Sequence, residues 1–536
     1  MVMVNMDTHK GRVYLQNVVL KSFLLTLLYG VAFEKEALAF DWRLTPSLSL
    51  TEMFSDNLNL SNTAKRSGFV TEVAPGVSIY GSSPWSNFNL NYRLQGLYNA
   101  GGNDAVDINH QLQMNSLYQV VRNRLFLETS SSISQVNTNN SFIATDNLTG
   151  DNNRTNARNF SISPYWTPKF GQYASGLLKA GYQKSTFDNA NNSSTSTLYP
   201  NPISDSDSFT REARLSSGSK FNLVRWNLNY SAQDQNRDSG DDVRFEQYQG
   251  DARYYFSRKY NVFANFGYEN NDYQTLNNDI SNGFFYTFGG QWSPSQFYSL
   301  EAGYGNNSQV TINLNPSANF TSHITYENRS VGLNTGNVWN AQLNYRLQQA
   351  AVNFNYSQDT TTAQQILAAQ QVFSLTNPFG DTVIDPVTQQ PQQFIINSPN
   401  LVNDVIINKT ANLSLTYQSG KSSYNASVYN TRRTYEQSTE EDNVYGASAG
   451  WQWQFQPRLN FYLQPLWQTI NSTGTNGSNN DRYDVALGLN RSIPINLGRP
   501  LLMNTNLEFR HIEQKSDITI NDYTENRATA NFAVRF

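Results

Sequence analysis

The chain has 536 residues, no cysteine, 38% hydrophobic, 13% aromatic and 15% charged residues, and a formal net charge of -4. Without cysteine there is no thiolate metal centre, disulfide framework, covalently attached haem or lipidated thiol, and without a polybasic run there is no nucleic-acid footprint. Past residue 40 no apolar stretch is long enough for a membrane helix, yet 31 Phe and 31 Tyr argue against disorder, so one repetitive β architecture is the better expectation.

At the N-terminus Lys10, Arg12 and Lys21 precede an apolar stretch from Ser22 to Phe33, followed by Ala37-Leu38-Ala39. Small residues at those two alanine positions read as a secretory signal peptide over 1–39, with Sec-dependent export and cleavage after Ala39. A single barrel domain is then expected over 40–536.

From Trp42 onward the chain alternates with period two. Trp42, Leu44, Leu48 and Leu50 fall on one face, with Arg43, Thr45, Ser47 and Ser49 on the other. The pattern recurs at Phe88, Leu90, Tyr92 and Leu94, at Val224, Trp226, Leu228 and Tyr230, and at Trp339, Ala341, Leu343 and Tyr345. The polar faces are mostly Asn, Gln and Ser with little Lys or Glu, as suits a confined wet interior better than an open surface. Short turns such as 167–169, 257–259, 293–295, 419–421 and 456–458 alternate with long polar segments at 137–157, 188–206, 234–242, 360–403 and 471–481. That asymmetry predicts short periplasmic turns and long extracellular loops.

Trp166, Trp292, Trp451 and Trp453 crowd the short turns, the placement of an interfacial aromatic girdle. The last alternating strand ends on Phe536, which looks like the signal read by the outer-membrane assembly machinery. The fold class expected is all-β, a transmembrane antiparallel up-and-down β-barrel of about 24 strands, with 22–26 as the range, in contact with outer-membrane lipid. The stretches 305–337 and 404–420 leave the count open.

The segments 42–52 (WRLTPSLSLTE), 56–61 (DNLNLS), 69–78 (FVTEVAPGVS) and 356–364 (YSQDTTTAQ) resemble the PEP-CTERM-system-associated outer-membrane proteins. That resemblance implies a large barrel of Gram-negative bacteria from loci that accompany exopolysaccharide export and exosortase sorting, with polysaccharide-export or periplasmic proteins as partners. It implies no catalytic residues and no cofactor. The Asn/Gln content and the long 360–403 segment depart from the family pattern.

No catalytic or metal constellation stands out. His110, His323 and His511 are far apart, and Gly446-Ala447-Ser448-Ala449-Gly450 matches the nucleophile-elbow pattern but sits within a strand rather than at a strand-to-helix turn. The acidic runs 204–207 and 238–242 lack the spacing of a calcium loop. Strand parity instead points Glu72, Arg93, Glu128, Glu212, Arg214, Asp251, Arg253, Glu301, Arg346, Glu508 and Arg510 into the lumen. Such residues either neutralise one another and stiffen the wall or line a polar path for a solute. Inward Asn rows at 87–91, 227–229 and 353–355 offer donors and acceptors without charge.

The segment 360–403 carries a helix-like run from Thr361, and is expected to fold inward as a constriction. Three functions remain in view: a channel for a large polar solute such as exopolysaccharide, a structural barrel sheathing a partner protein such as a cytochrome, and a secreted β-repeat adhesin.

Overall fold

The computed structural model describes residues 41–536 apart from 101–105, 139–145, 151–152, 189–202, 277–279, 373–398, 439, 475–476, 497 and 499. The expected signal peptide and the middle of the 360–403 segment lie outside the described residues.

Alternation dictates the wall. The first strand, Asp41–Ser55, pairs along one side with Gly68–Ser83, setting Leu44 opposite Ile79 and Leu50 opposite Val73 on the outer face and Thr51 opposite Glu72 on the inner face. Along its other side it pairs with the last strand, Tyr523–Arg535, so the sheet closes on itself. Closure matters because lipid offers no hydrogen-bond partner to an open edge. Every pairing is antiparallel, and a two-residue strand at Lys169–Phe170 only extends the edge of Ala174–Phe187, which leaves a closed wall of 24 strands.

Both ends of the wall meet at the short-turn end: Asp41 lies opposite Ser82, and the Phe536 amide donates to the Pro46 carbonyl at 2.8 Å. The hairpins there are tight. At Ser419 to Ser422 the two-residue turn has Gly420 at φ 55, a left-handed conformation that glycine adopts without strain and that matches strand twist.

The open stretches resolve as Asn307–Ser317 with Phe320–Arg329, and as the single strand Val405–Ser419. Three boundaries differ from the sequence reading. The turn expected at 293–295 lies at Gln296–Phe297, because a register shift between Trp292 and Ser295 lets Gly283–Ser295 run on. The polar segments 234–242 and 471–481 are partly strand, since Val224–Arg237, Leu459–Thr473 and Asn479–Asn496 rise past the apolar belt. Asn and Gln pair there as well as aliphatics do, because the ladder needs only backbone.

Among the described residues no helix is long and apolar enough to cross a membrane, a statement that does not bear on strands. The largest buried apolar cluster is not between layers of the wall. It sits inside the mouth at the loop end, where Val136, Ala157, Phe187, Ile406 and Tyr435 of the wall meet the loop residue Ile203 and Ala363, Leu367, Leu401 and Val402.

Candidate functional site: the lumen and its mouth

The inward face is built by the polar half of each strand. The eleven charged candidates all share inward parity, and most of them meet oppositely charged neighbours. Glu72 accepts from Arg93 and from the amide of Gln95, and Thr51 donates to it at 3.3 Å. Glu128 pairs with Lys179 at 2.7 Å, and Glu212 with Arg214 at 3.0 Å. Arg253 joins Asp251 at 3.0 Å to Glu301 at 2.5 Å, lying over the ring of Phe263 at 5.0 Å. It reaches three strands away over the Phe263 ring, which fits because Gly289 and Gly303, facing each other across their strand pair, leave it room.

Glu508 holds Arg510 at 3.0 Å and accepts from the Tyr462 hydroxyl at 2.7 Å. Arg346 lies apart from these, exposed at the short-turn end of Gly336–Arg346.

Parity would also have found Lys179, Arg482, Asp484, Glu525 and Arg527, which the sequence reading left out. Asp484 pairs with Arg482 at 3.3 Å and with Arg510 at 3.5 Å, and the Ser55 hydroxyl donates to Glu525 at 2.8 Å. Arg527 is 4% exposed and reaches Asp146 at 2.7 Å. Asp146 belongs to a long loop, which no strand pattern assigns to the lumen. That loop dives inside: Leu148 packs on Met53, Leu58, Val70 and Leu97, Asn147 bonds Gln95 and Gln135, and the Gly150 amide donates to the Leu58 carbonyl at 3.1 Å.

The expected constriction falls on residues that are partly described. Strand Ala350–Thr362 runs into a helix at Ala363–Val372, and the returning chain at 399–404 leads into Val405–Ser419. Both described ends of the segment are buried: Ala363 is 0% exposed, Gln364 and Leu367 1%, Asn403 1%.

They also reach the loops that top distant strands and, at Gln235, the wall itself. Leu401 donates its amide to the Thr138 carbonyl at 3.1 Å and accepts from the Ile203 amide at 2.9 Å. Asn403 bonds the Ser204 hydroxyl and the Ser239 carbonyl, each at 2.9 Å, and the Thr362 hydroxyl donates to Gln235 at 2.9 Å. The Asn400 backbone amide donates to the Tyr435 hydroxyl at 3.1 Å, which in turn donates to Asp442 at 2.8 Å.

Asp404 closes the arrangement at the loop end. Burial pushes its carboxyl up to about 6, although the amides of Gln437 and Val405 and the nearby Arg237 pull the other way. Leu276 adds a further crossing, donating to the Glu436 carbonyl at 2.9 Å.

Outside, Trp166, Trp292 and Trp453 stand exposed close to the short turns, and Trp451 lies parallel to Tyr424 and Trp453 at 6.5 and 6.2 Å. The four tryptophans therefore share the outer face, with Phe536 at the closing seam.

The other motifs dissolve into the wall. Ser448 is inside Glu441–Gln456 and bonds the Ser427 hydroxyl at 2.7 Å, so Gly446 to Gly450 form no elbow. His110, His323 and His511 each bond one cross-strand neighbour, Tyr92, Asn313 and Asn526, at 2.8, 2.5 and 2.7 Å, on three separate strands. Among the described residues no three His, Asp or Glu side chains converge as a metal site.

No family model matches the chain, and no curated protein matches it in sequence. Among solved structures it is similar to the FrpB iron transporter from Neisseria meningitidis, at 11% identity and a TM-score of 0.44, over 92% of this chain and 82% of that one. It is similar to the siderophore receptor PirA from Pseudomonas aeruginosa, at 9% identity and a TM-score of 0.40, over 92% and 80%. OpdK from Pseudomonas aeruginosa, solved with vanillate, matches at 9% identity and a TM-score of 0.34, over 92% and 99%. What those proteins carry does not transfer to this chain at such identities; what the chain itself displays is a closed β-barrel with a polar lumen and an apolar outer face.

Proposed function

We propose that this chain is an outer-membrane channel for a large polar solute, with exopolysaccharide as the class that the PEP-CTERM resemblance brings. The observation that carries the reading is the division of the wall. One parity supplies an exposed apolar belt with tryptophans at its lower edge, and the other supplies neutral Asn, Gln and Ser rows punctuated by neutralised ion pairs. Such a lumen offers hydrogen bonds in every direction without a fixed charge to trap a passing sugar.

The chain at 363–368 and 399–404 is the gate of this channel. Its Ala363, Leu367, Leu401 and Val402 are buried in the mouth, which weighs against a guest protein such as a cytochrome threaded through the barrel. In planar bilayers, deleting 365–400 raises single-channel conductance while the variant keeps heat-modifiable migration in gels. Unchanged conductance overturns the gate; a chain that migrates identically with and without heating, and fractionates away from membranes, overturns the barrel in favour of a secreted adhesin.

A further inference from the structure

Toward the loops the wall does not stay whole. The ladder between Gly336–Arg346 and Ala350–Thr362 ends at Ala341 opposite Tyr356, although both strands run on, so that Gly336–Asn340 and 357–361 form no cross-strand pairs. The ladder between Val106–Val121 and Leu125–Asn137 likewise ends at Leu112 opposite Ile133, while 106–111 and 134–137 continue as strand. Among the described residues these are the two places where both strands run four residues or more past their last pair.

Both partings begin where the apolar belt stops. Tyr356 and Ile133 are the last outward apolar residues of their strands, followed at the next outward positions by Gln358 and Gln135. Above the belt water satisfies an open strand edge, whereas lipid would leave its N–H and C=O groups without partners. Gln135 shows what the open ladder allows. Parity sets it outside with Ile133, yet its amide donates to Asn109 and its carbonyl accepts from Asn147 at 2.7 Å, both of them inside beside the buried Gln95.

The partings also divide the molecule evenly. In the 24-strand wall they follow the fourth and the sixteenth strands, twelve apart, and so face each other across the barrel. One arc runs from Leu125–Asn137 to Gly336–Arg346, and the other from Ala350–Thr362 through the closing seam to Val106–Val121. The inserted loops tie arc to arc. Leu401 and Asn403 of the second bond Thr138, Ser204 and Ser239 of the first, and Asp146, Gly150 and Leu276 of the first bond Arg527, Leu58 and Glu436 of the second. Elsewhere two neighbouring strands separate only by breaking a continuous ladder of hydrogen bonds; at the partings there is no ladder to break, so the wall yields there first.

From this division we infer that the loop end opens by the two arcs spreading at the partings, with the inserted loops as clasps that hold them together. The inference deepens the gate reading and rests on it. Spreading widens the mouth while the ladders through the apolar belt stay intact, so the lipid-facing wall keeps its closure. The aperture is then set by the wall and not by the space one segment vacates, which suits a thick hydrated chain.

The full chain carries no cysteine, so engineered thiol pairs report on the arcs directly. In neutral-lipid nanodiscs, spin labels at Asn340→Cys with Ser357→Cys, and at His110→Cys with Gln135→Cys, span the two partings. Labels at Asn328→Cys with Asn337→Cys, a paired couple on neighbouring strands at the loop end, are the control. Deleting 365–400, which removes the anchor of one clasp, lengthens both parting distances by at least one strand spacing, about 5 Å, and leaves the control unmoved. Parting distances that stay at their native values in the folded variant, or a control that lengthens equally, overturn the inference.

A second measurement needs no deletion. In planar bilayers, a short bismaleimide bridge across both partings lowers the conductance of the otherwise native chain severalfold, and the same bridge across the control pair leaves it unchanged. Equal conductance with and without the parting bridges overturns the inference. If the native chain carries no current, the channel reading fails separately and the label distances decide.

Discussion

The two halves of the lumen are written in the same alternating code and end in opposite states. Toward the loops, inward residues vanish under the chain's own segments: Ile406, Tyr435, Ile512 and Tyr523 are all at most 2% exposed. Toward the short turns, inward Asn87, Asn89, Asn355 and Gln452 stay open to the lumen, and Tyr80 is 45% exposed. The difference lies in what the connections bring. Long loops carry enough apolar residues, such as Leu148, Leu367, Leu401 and Val402, to form a core inside the barrel, whereas two-residue hairpins carry none. A wall of constant pattern is thus packed over at the loop end and lined with exposed polar residues toward the short turns.

Removing the core of the closed half should produce the largest effect. Deleting 365–400 should raise conductance severalfold, making the two halves alike; a variant that conducts as the native chain does would show that the mouth is not where flow is limited.

Breaking the buried ion cluster should come next. Arg527→Met leaves Asp146 and Glu525 without their cation in a water-poor site, at a cost of about 3–5 kcal/mol, read as a lower urea midpoint for loss of heat-modifiable folding. By contrast Arg214→Ala in the open half, where Arg214 is exposed and Glu212 only half-buried, should cost ~0–1 kcal/mol in the same assay. Equal losses at the two sites would erase the distinction between the halves.

The smallest of the gating effects concerns pH. With Asp404 buried its carboxyl titrates at about 6, against roughly 4 for an exposed one, so the proton favours the docked segment. That additional hold is complete below about 4 and is lost as pH rises through 6. Conductance should therefore rise from acid to neutral pH, and Asp404→Asn should flatten the profile. A profile that is unchanged in the variant would assign the titration elsewhere, with the buried Glu436 and Glu440 carboxyls, also pushed up, as the next candidates.

Much of the wall was legible in the sequence because period two maps directly onto lipid and lumen. The inward placement of Glu72 beside Arg93, of Glu212 with Arg214 and of Asp251 with Arg253 follows from counting along a strand. The strand number follows from the alternation of turns, and the tryptophan edge from its crowding near them. The two insertions into the mouth differ in this respect. The 363–404 segment announces itself by length and by an apolar helical run, but nothing about Asp146 or Asn147 marks them as lumen residues. Their partners, Arg527 and Gln95, are far away in sequence, and an inserted loop follows no period.

The proposed gate stands on the crossing of the 399–404 chain to the loop end of the strand Leu125–Asn137. Since the native chain has no cysteine, Thr138→Cys with Leu401→Cys gives a single engineered thiol pair at the crossing, where the Leu401 amide meets the Thr138 carbonyl at 3.1 Å. The decisive measurement is single-channel conductance of that variant before and after oxidation. The expected outcome is a cross-linked species whose conductance falls and recovers on reduction. Failure of the two thiols to join in the folded barrel, or cross-linking that leaves conductance untouched, would contradict it.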